Sequence, residues 1–574
     1  MSYMKKYEEW LMGPHFDEET KKELLSIRND EKEIEERFYR ELEFGTGGLR
    51  GIIGAGTNRI NKYNVRKATQ GFANYILREV TGAKGKGAVI AFDSRHKSPE
   101  FALEAAKVLA GNGIKAYVFE SLRSTPQLSF SVRELGAAGG IVITASHNPP
   151  EYNGYKVYGE DGGQLVPKYA NMIIEEIKEI KDYGTIKYLD EQEAKAKGLL
   201  HIIGEEMDKK YIDMVKSLSL RKDMIEEIEN LKVIYTPLHG TGAMPVKRVL
   251  TEVGFKNFFA VEEQELPDSN FSTVESPNPE EHKAFDMAIK LAEEVGGDII
   301  IGTDPDCDRV GAVIKSREGK YQVLTGNQTG ALLIRYILSS MESIPENSVI
   351  IKTIVTSELG SKIAEDYGVE IINTLTGFKF IGEKIREFEE KRNKNFIMGY
   401  EESYGYLVGT EVRDKDAVVS SLLIAEMAAY YKSKEMNLLD ALEDLYREYG
   451  YYKEGLESIV LKGKEGLEKI GVIMEAFRNN PPLEVCGTKM EIIRDYLKGT
   501  EKFIIEGKER ELDLPKSNVI HFTLQDGSWF AVRPSGTEPK LKIYFSVVGD
   551  SEDKADSKLN MIKKHILKII DGIE

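Results

Sequence analysis

The 574-residue chain has two cysteines, Cys307 and Cys486, so a disulfide framework is excluded and their scarcity fits a reducing cytoplasm. Long apolar runs are missing as well. None approaches the roughly eighteen residues needed to cross a bilayer, which argues against a membrane protein. Positive charge is in deficit: 78 basic residues stand against 95 acidic ones, for a net charge of -17. A general nucleic-acid or membrane surface is therefore not expected, and any anion site must be built locally from a few residues. Residues 1–40 read as a charged helical pattern containing Trp10 and Leu11, without the apolar core of a secretion signal. Composition fixes no oligomeric state.

What is present is the texture of a multidomain α/β chain. At this length one core is too few, and roughly three to five domains are expected. Residues 105–120, 246–261 and 360–374 each read as a helix, a glycine flanked by hydrophobic and polar residues, and a strand. A helix closed by glycine and followed by a β-rich run is the second half of an αβ unit. Three related α/β modules follow, with parallel or mixed sheets and helices on both faces. In the first, a strand over 89–92 ends at Asp93-Ser94-Arg95, whose charges are as fit to pair with each other as to bind a ligand, and a helix covers 99–110. A polar helical connector from about 169 to 221 leads to the second module, which opens with a strand over 231–235. Its loop 236–242 contains His239, for which a structural role in a turn outweighs ligand binding. The third module is expected to begin near Tyr321, with a strand at 348–352. From about Gly455 the pattern becomes a smaller α+β domain, with strands at 503–505 and 529–532 and an amphipathic last helix over 554–570. The expected domains are 1–205, 206–320, 321–455 and 456–574.

Several stretches carry chemistry. The run Gly140-Ile141-Val142-Ile143 empties into Thr144-Ala145-Ser146-His147-Asn148-Pro149-Pro150, which places Ser146 at a strand end, where α/β proteins bind ligands. A serine hydroxyl is a weak nucleophile, and His147 beside it and Lys156 across the turn are groups that move protons and screen phosphate charge. After a second buried strand, Asp304, Asp306 and Asp308 stand at alternate positions and can converge on one hard cation. The glycine and distal glutamate of an EF-hand are absent, and three carboxylates leave room for water or a phosphoryl oxygen, which suits Mg²⁺. Arg309 adds positive charge beside the ion. Arg50, in the glycine-rich loop 45–51, is a planar donor on a backbone that can approach an anion closely. Glu401 and Ser403, two apart among Tyr400, Tyr404 and Tyr406, can face neighbouring hydroxyls of a sugar. Lys415 supplies a cation to the same loop, and Thr376 and Lys379 a hydroxyl and an ammonium. Finally Arg533, Ser535, Gly536 and Thr537 form a compact phosphate cradle after a strand.

Together, Thr-Ala-Ser-His-Asn-Pro at 144–149, Asp-Pro-Asp-Cys-Asp-Arg at 304–309, Glu-Glu-Ser at 401–403 and Arg-Pro-Ser-Gly-Thr-Glu-Pro at 533–539 strongly resemble the α-D-phosphohexomutase family, in order and over nearly the whole chain. The resemblance implies four domains around a central cleft, three of them related. It makes Ser146 a phosphoserine and Asp304, Asp306 and Asp308, with the serine's phosphoryl oxygen, the Mg²⁺ ligands. Arg50 and Arg309 would contact the phosphoryl group, and His147 and Lys156 would transfer protons or stabilise charge, an assignment left open between them. Thr376, Lys379, Glu401, Ser403 and Lys415 would bind the sugar, and Arg533, Ser535, Gly536 and Thr537 its distal phosphate. The implied reaction interconverts glucose 1-phosphate and glucose 6-phosphate, with glucose 1,6-bisphosphate as intermediate and primer. The loop 400–406 departs from the commoner Gly-Glu-Glu-Ser-Gly form and is most similar to the family's bacterial branch related to phosphopentomutases. Mannose or pentose phosphates, or binding without catalysis, stay open as alternatives.

Overall fold

In the computed structural model, residues 2–45, 48–461, 463–535 and 540–573 are described, so Gly536 and Thr537 of the expected cradle lie outside the described residues. Continuous apolar runs make strands buried on both faces, and alternating ones make edges; the first sheet shows both. Its strands are β1 (Gly48–Ile52), β2 (Ala88–Phe92), β3 (Ala116–Phe119), β4 (Gly140–Ile143), β5 (Tyr152–Tyr158) and β6 (Leu200–Ile203), in the order β1-β5-β4-β2-β3-β6. Every residue of β2 and β4 is buried, and the two pair in parallel at the centre. At the edge, antiparallel β1 and β5 set Arg50 opposite Gly154 and Gly48 opposite Lys156. Residues two apart share a face, so Arg50 and Lys156 emerge on the same side of the sheet. Strand β6 corrects the expectation of a purely helical connector over 169–221. Four residues at a sheet edge, with Leu200 buried and Ile202 exposed, are too few to show a period, and β6 is defined by its parallel pairing with β3.

The second sheet contains β7 (Lys232–Thr236), β8 (Asn257–Ala260), β9 (Ile299–Thr303), β10 (Val310–Lys315) and β11 (Tyr321–Val323), ordered β11-β10-β9-β7-β8. Strands β7, β8 and β9 run parallel, and β9, β10 and β11 form an antiparallel meander. The strand at Tyr321 thus completes the second sheet and does not open the third module. That module starts with the helix Gly326–Ser340, whose N-terminus is closed by a reciprocal Thr325–Gln328 capping box. It continues with β12 (Ser348–Thr353), β13 (Glu370–Thr374) and the antiparallel hairpin of β14 (Asn395–Glu401) and β15 (Gly405–Val408).

The repeat read from the sequence has a backbone cause. Helices Ser98–Gly111, Ala243–Val253 and Leu359–Asp366 are each followed by a strand, β3, β8 and β13. The intervening Gly113, Gly254 and Gly368 take φ of 73°, 123° and 68°, a region in which a side chain is strained.

The chain forms two compact units, Met1–Ile350 with Phe378–Asn437, and Ile351–Gly377 with Leu438–Glu574. In the second, strands Tyr451–Val460, Lys540–Gly549, Trp529–Pro534, Ile520–Leu524, Thr488–Asp495, Thr500–Phe503 and Lys508–Glu511 lie side by side in that order, all antiparallel. Helices Gly463–Asn479 and Glu552–Asp571 pack against them through Ile473, Phe477, Ile562 and Ile566. The α+β texture expected from Gly455 therefore begins four residues earlier, with the strand at Tyr451. At the other end of the chain, the charged N-terminal pattern is three short helices, α1 (Tyr3–Met12), α2 (Glu18–Ser26) and α3 (Glu31–Phe38), capped by Ser2, Asp17 and Asp30. Trp10 stacks on Phe16 at 4.3 Å, and both join Phe38 and Tyr63 in a small aromatic core. Among the described residues no helix is long and apolar enough to cross a membrane.

Gly154 tests the β1–β5 edge. A Cβ there would lie 2.3 Å from the Thr144 carbonyl oxygen and 2.9 Å from that of Leu49. Because both contacts are backbone, one in β1 and one just past the end of β4, Gly154→Ala is expected to cost about 1–3 kcal/mol, read as a lowered thermal midpoint.

Candidate active site

Ser146 is presented by strain and by a buried arginine. Beyond β4, the Thr144 hydroxyl accepts the Ser146 N–H at 2.8 Å, and Ser146 adopts a φ of 52°, rare for a residue with a side chain. The Arg95 guanidinium, 1% exposed, donates to the carbonyls of Ser146, Asn148 at 2.5 Å, Pro149 at 2.8 Å and Tyr152 at 3.2 Å. Asp93 holds that guanidinium, with Oδ2 3.2 Å from Nε, and its Oδ1 accepts the Arg95 N–H at 3.0 Å. Of the two options open for Asp93 and Arg95, the structure shows the pair, and gives it a further task. The sequence carries no signal for that task, since an arginine used up on backbone carbonyls has no motif of its own.

The carboxylates sit in a hairpin loop. Residues 304–309 connect antiparallel β9 and β10, with Thr303 facing Val310. The N–H groups of Asp308 and Arg309 donate to Asp304 Oδ1 at 3.1 and 3.0 Å, and Cys307 takes a φ of 55°, which turns the loop. Oxygens of Asp304, Asp306 and Asp308, all buried, lie within 4.8 Å of one another. The loop 236–242 braces this turn: Thr241 donates its N–H and hydroxyl to the Pro305 carbonyl at 2.8 and 3.0 Å. His239 is structural, as expected, with Nδ1 2.9 Å from the Leu266 carbonyl and Nε2 2.7 Å from the Thr273 hydroxyl. Gly242 leaves the space that Tyr235, Thr303 and Cys307 fill, so the Cys307 thiol is a buried packing group.

Serine and carboxylates meet directly. Ser146 Oγ donates to Asp304 Oδ2 at 2.6 Å, and His147 Nδ1 is 3.2 Å from Ser146 Oγ. Lys156 donates to Asp306 Oδ2 at 2.8 Å and stands 3.6 Å from Asp308, and Lys415 lies 3.0 Å from Asp308 Oδ2. Gly405 makes room for the Lys415 stem, since a Cβ there would be 2.1 Å from Lys415 Cδ. Thr125, at the N-terminus of the helix Thr125–Glu134, donates its hydroxyl to Asp306 Oδ2 and its N–H to the Asp306 carbonyl, both at 2.9 Å. Arg309 pairs with Glu280, and Arg50 Nη1 donates to Asn148 Oδ1 at 2.9 Å. Thr125, Asn148 and Glu280 were given no role by the sequence reading, and Arg95 was read for its pairing with Asp93 or for a ligand, not for the carbonyls it holds.

The electrostatics are those of an anion and cation site pressed together. Burial pushes Asp304 well above the ordinary carboxylate range, with Asp306 and Asp308 adding to the shift. Burial works against Asp306 too, but Lys156 holds it low. Lys156 and Lys415 are desolvated, yet Asp306 and Asp308 keep the first, and Asp308 and Asp414 the second, protonated. Burial, then Arg309 and Arg50, hold His147 well below the usual histidine value, so its imidazole is neutral. Asp306 Oδ1 and Asp308 Oδ1 are buried without a hydrogen-bond partner. A hard oxygen donor set with orphaned lone pairs fits a metal cation.

The other expected residues divide between the units. Glu401, buried, ends β14, and Ser403 lies in the hairpin turn, tied to the acidic loop by the Val310 N–H, which donates to the Tyr404 carbonyl at 3.1 Å. Lys379 opens the helix Lys379–Lys391, with its ammonium 5.5 Å from the Phe380 ring centroid. These belong to the first unit, with Ser146 and the carboxylates. Thr376, with a buried hydroxyl oxygen that has no hydrogen-bond partner, Arg533 at the end of its strand and Ser535 belong to the second.

Family models for phosphoglucomutase/phosphomannomutase match in chain order: alpha/beta/alpha domain I at 41–184, domain II at 209–319, domain III at 325–449 and the C-terminal domain at 489–563. A phosphoglucomutase of Staphylococcus epidermidis (strain ATCC 35984) is 40% identical over 549 residues, 95% of this chain and 97% of that protein. The chain belongs to the phosphoglucomutase/phosphomannomutase family. A phosphoglucomutase of Staphylococcus aureus (strain USA300) is 39% identical over 541 residues, 92% of this chain and 94% of that one. Among solved structures, the family's fold recurs in the Paramecium exocytosis-sensitive phosphoprotein pp63/parafusin, with a TM-score of 0.68 at 20% identity over 93% of this chain and 95% of that one. A family protein from Burkholderia thailandensis gives a TM-score of 0.65 at 17% identity, over 92% and 98%. The three α/β modules and the C-terminal domain read from the sequence are those of this family.

Arg95→Met removes the fork from four carbonyls and leaves Asp93 buried without its cation. A loss of about 3–5 kcal/mol is expected in urea unfolding.

Proposed function

We propose that this phosphohexomutase carries phosphate on Ser146 and interconverts glucose 1-phosphate and glucose 6-phosphate through glucose 1,6-bisphosphate. The observation that carries the reading is the 2.6 Å contact of Ser146 Oγ with Asp304, inside a cluster of three carboxylates, two lysines and a histidine. Glucose is favoured because the relatives at 38–40% identity are named phosphoglucomutase. Mg²⁺ is the proposed metal, held by Asp304, Asp306, Asp308 and a phosphoryl oxygen on Ser146. When bound, it would neutralise charge on the transferring phosphoryl group.

In the first half-reaction the sugar's free hydroxyl oxygen forms a bond to phosphorus as the bond from phosphorus to Ser146 Oγ breaks. The hydroxyl's proton ends on Oγ, beside which His147 Nδ1 lies, so His147 is assigned the proton at the serine. Lys156 and Lys415, both protonated, together with Arg309 and Arg50, stabilise the negative charge that develops in transfer. Reversal with the bisphosphate turned end for end returns the other phosphoryl group to Ser146. Glu401 and Ser403 are proposed to bind sugar hydroxyls with Thr376, Lys379 and Lys415. Arg533, Ser535, Gly536 and Thr537 are proposed to hold the phosphate that is not reacting. Glucose 1,6-bisphosphate as primer and a cytoplasmic setting belong to the same proposal. So do four domains divided near 205, 323 and 450, with the last two limits moved to the ends of the second sheet and of the third module's helices.

Three outcomes are expected. Purified protein should isomerise glucose 1-phosphate faster than mannose, ribose or glucosamine phosphates, and added glucose 1,6-bisphosphate should stimulate it; equal rates on all would remove the glucose assignment. Ser146→Ala should reduce turnover by at least about 10³-fold, because no covalent carrier is left. Asp306→Asn should weaken Mg²⁺ binding at least about tenfold in calorimetric titration, and unchanged binding would remove the metal assignment.

A further inference from the structure

The helices α1–α3 precede residue 41, where the first family model begins, and no step proposed above uses them. Polar side chains of α2 and α3 nevertheless close on one place, the loop 53–61 that follows β1. Glu23 Oε1 accepts the Ala55 N–H at 3.0 Å and the Arg37 Nη1 donor at 2.5 Å. Arg37 Nη1 also donates to the Ala55 carbonyl at 3.2 Å, and the Arg37 carbonyl accepts the Asn58 N–H at 2.8 Å. Glu33 and Glu36 both pair with Arg59, which is buried. Gly56, at a φ of 135°, passes so close that a Cβ would be 2.8 Å from the Arg37 carbonyl oxygen.

What the loop holds is the strand that carries Arg50. Strand β1 has one sheet neighbour, β5, and its other flank is this loop: the Ile60 N–H donates to the Ile52 carbonyl at 2.9 Å, and the Gly54 N–H to the Ile60 carbonyl at 3.2 Å. Two residues before Ile52, Arg50 reaches Asn148 in the Ser146 loop. An edge strand that delivers a long, exposed arginine needs a fixed backbone if that arginine is to meet a phosphoryl group in one place.

We propose that the N-terminal arm is a clamp: Glu23 and Arg37 are positioning residues that fix the loop 53–61 against β1 and so aim Arg50 at the phosphoryl site. The inference rests on the proposed role of Arg50. A double-mutant cycle in the full-length enzyme tests it, with Glu23→Ala, Arg50→Ala and the double variant assayed on glucose 1-phosphate with the bisphosphate present. Glu23→Ala should lower kcat about three- to tenfold with KM unchanged, and should cause no further loss when Arg50 is already alanine. Glu23→Gln, which still accepts the Ala55 N–H, should recover most of the rate. Arg37→Gln in the same cycle replaces Glu23→Ala if that variant does not fold. A loss of equal size with and without Arg50, or no loss at all, overturns the clamp. If Arg50→Ala by itself leaves turnover unchanged, the role of Arg50 fails and the clamp falls with it, a result distinct from an additive cycle.

Discussion

Three carboxylates buried in one hairpin loop repel each other, and most of the surrounding structure answers that repulsion. At the 4.8 Å limit of their spacing, each pair of ionised carboxylates would cost about 3 kcal/mol at an effective dielectric near 20, which together with burial pushes Asp304 toward its neutral form. Lys156 arrives from β5, Lys415 over Gly405, Arg309 from the loop's own end, and the N-terminus of the helix Thr125–Glu134 from behind. The balance is close, since two carboxylate oxygens keep buried lone pairs without partners. Phosphorylation of Ser146, as proposed, would tighten the requirement. A free Ser146 hydroxyl donates to Asp304, whereas a phosphoserine brings a dianion to the same carboxylates and has no Oγ proton to give. The three carboxylates form a donor set that could hold a metal cation, and a cation there would offset both charges, as the proposed phosphoryl transfer calls for.

The sequence was most informative where chemistry forces a local pattern. Alternate aspartates at a strand end, a serine after a buried run and a glycine after each of three helices are consequences of short-range geometry, and each stands where the pattern suggested. Contacts distant in sequence were silent. Arg95 is bonded to carbonyls some fifty residues on, and Thr125 and Asp306 are joined across separate modules. Nothing in the residues flanking either one announces the partner. The start of the third module was placed near Tyr321, inside what is the last strand of the second sheet, for a related reason: three residues with no clear period take their identity from the register of β10, which lies before them.

Positioning is shared between a rigid sheet and strained turns. Ser146 and Cys307 both hold left-handed backbone in the candidate site, conformations that cost of order 1–3 kcal/mol and persist because Arg95 and the loop 236–242 fix their surroundings. Lys156 and Arg50 come from adjacent strands on one face, the first central enough to be held by the sheet alone, the second on an edge that the N-terminal helices brace. The arm's aromatic core of Trp10, Phe16, Phe38 and Tyr63 supports the helices that carry Glu23 and Arg37.

The central claim is that the phosphoryl group rides on Ser146 and leaves it for the sugar. A single-turnover chase measures this directly: enzyme carrying radiolabelled phosphate is mixed with unlabelled glucose 1-phosphate and quenched over milliseconds. The label should leave the peptide containing Ser146 and enter sugar phosphate at a rate no slower than kcat. Label that stays on the protein while glucose 6-phosphate accumulates would contradict the claim.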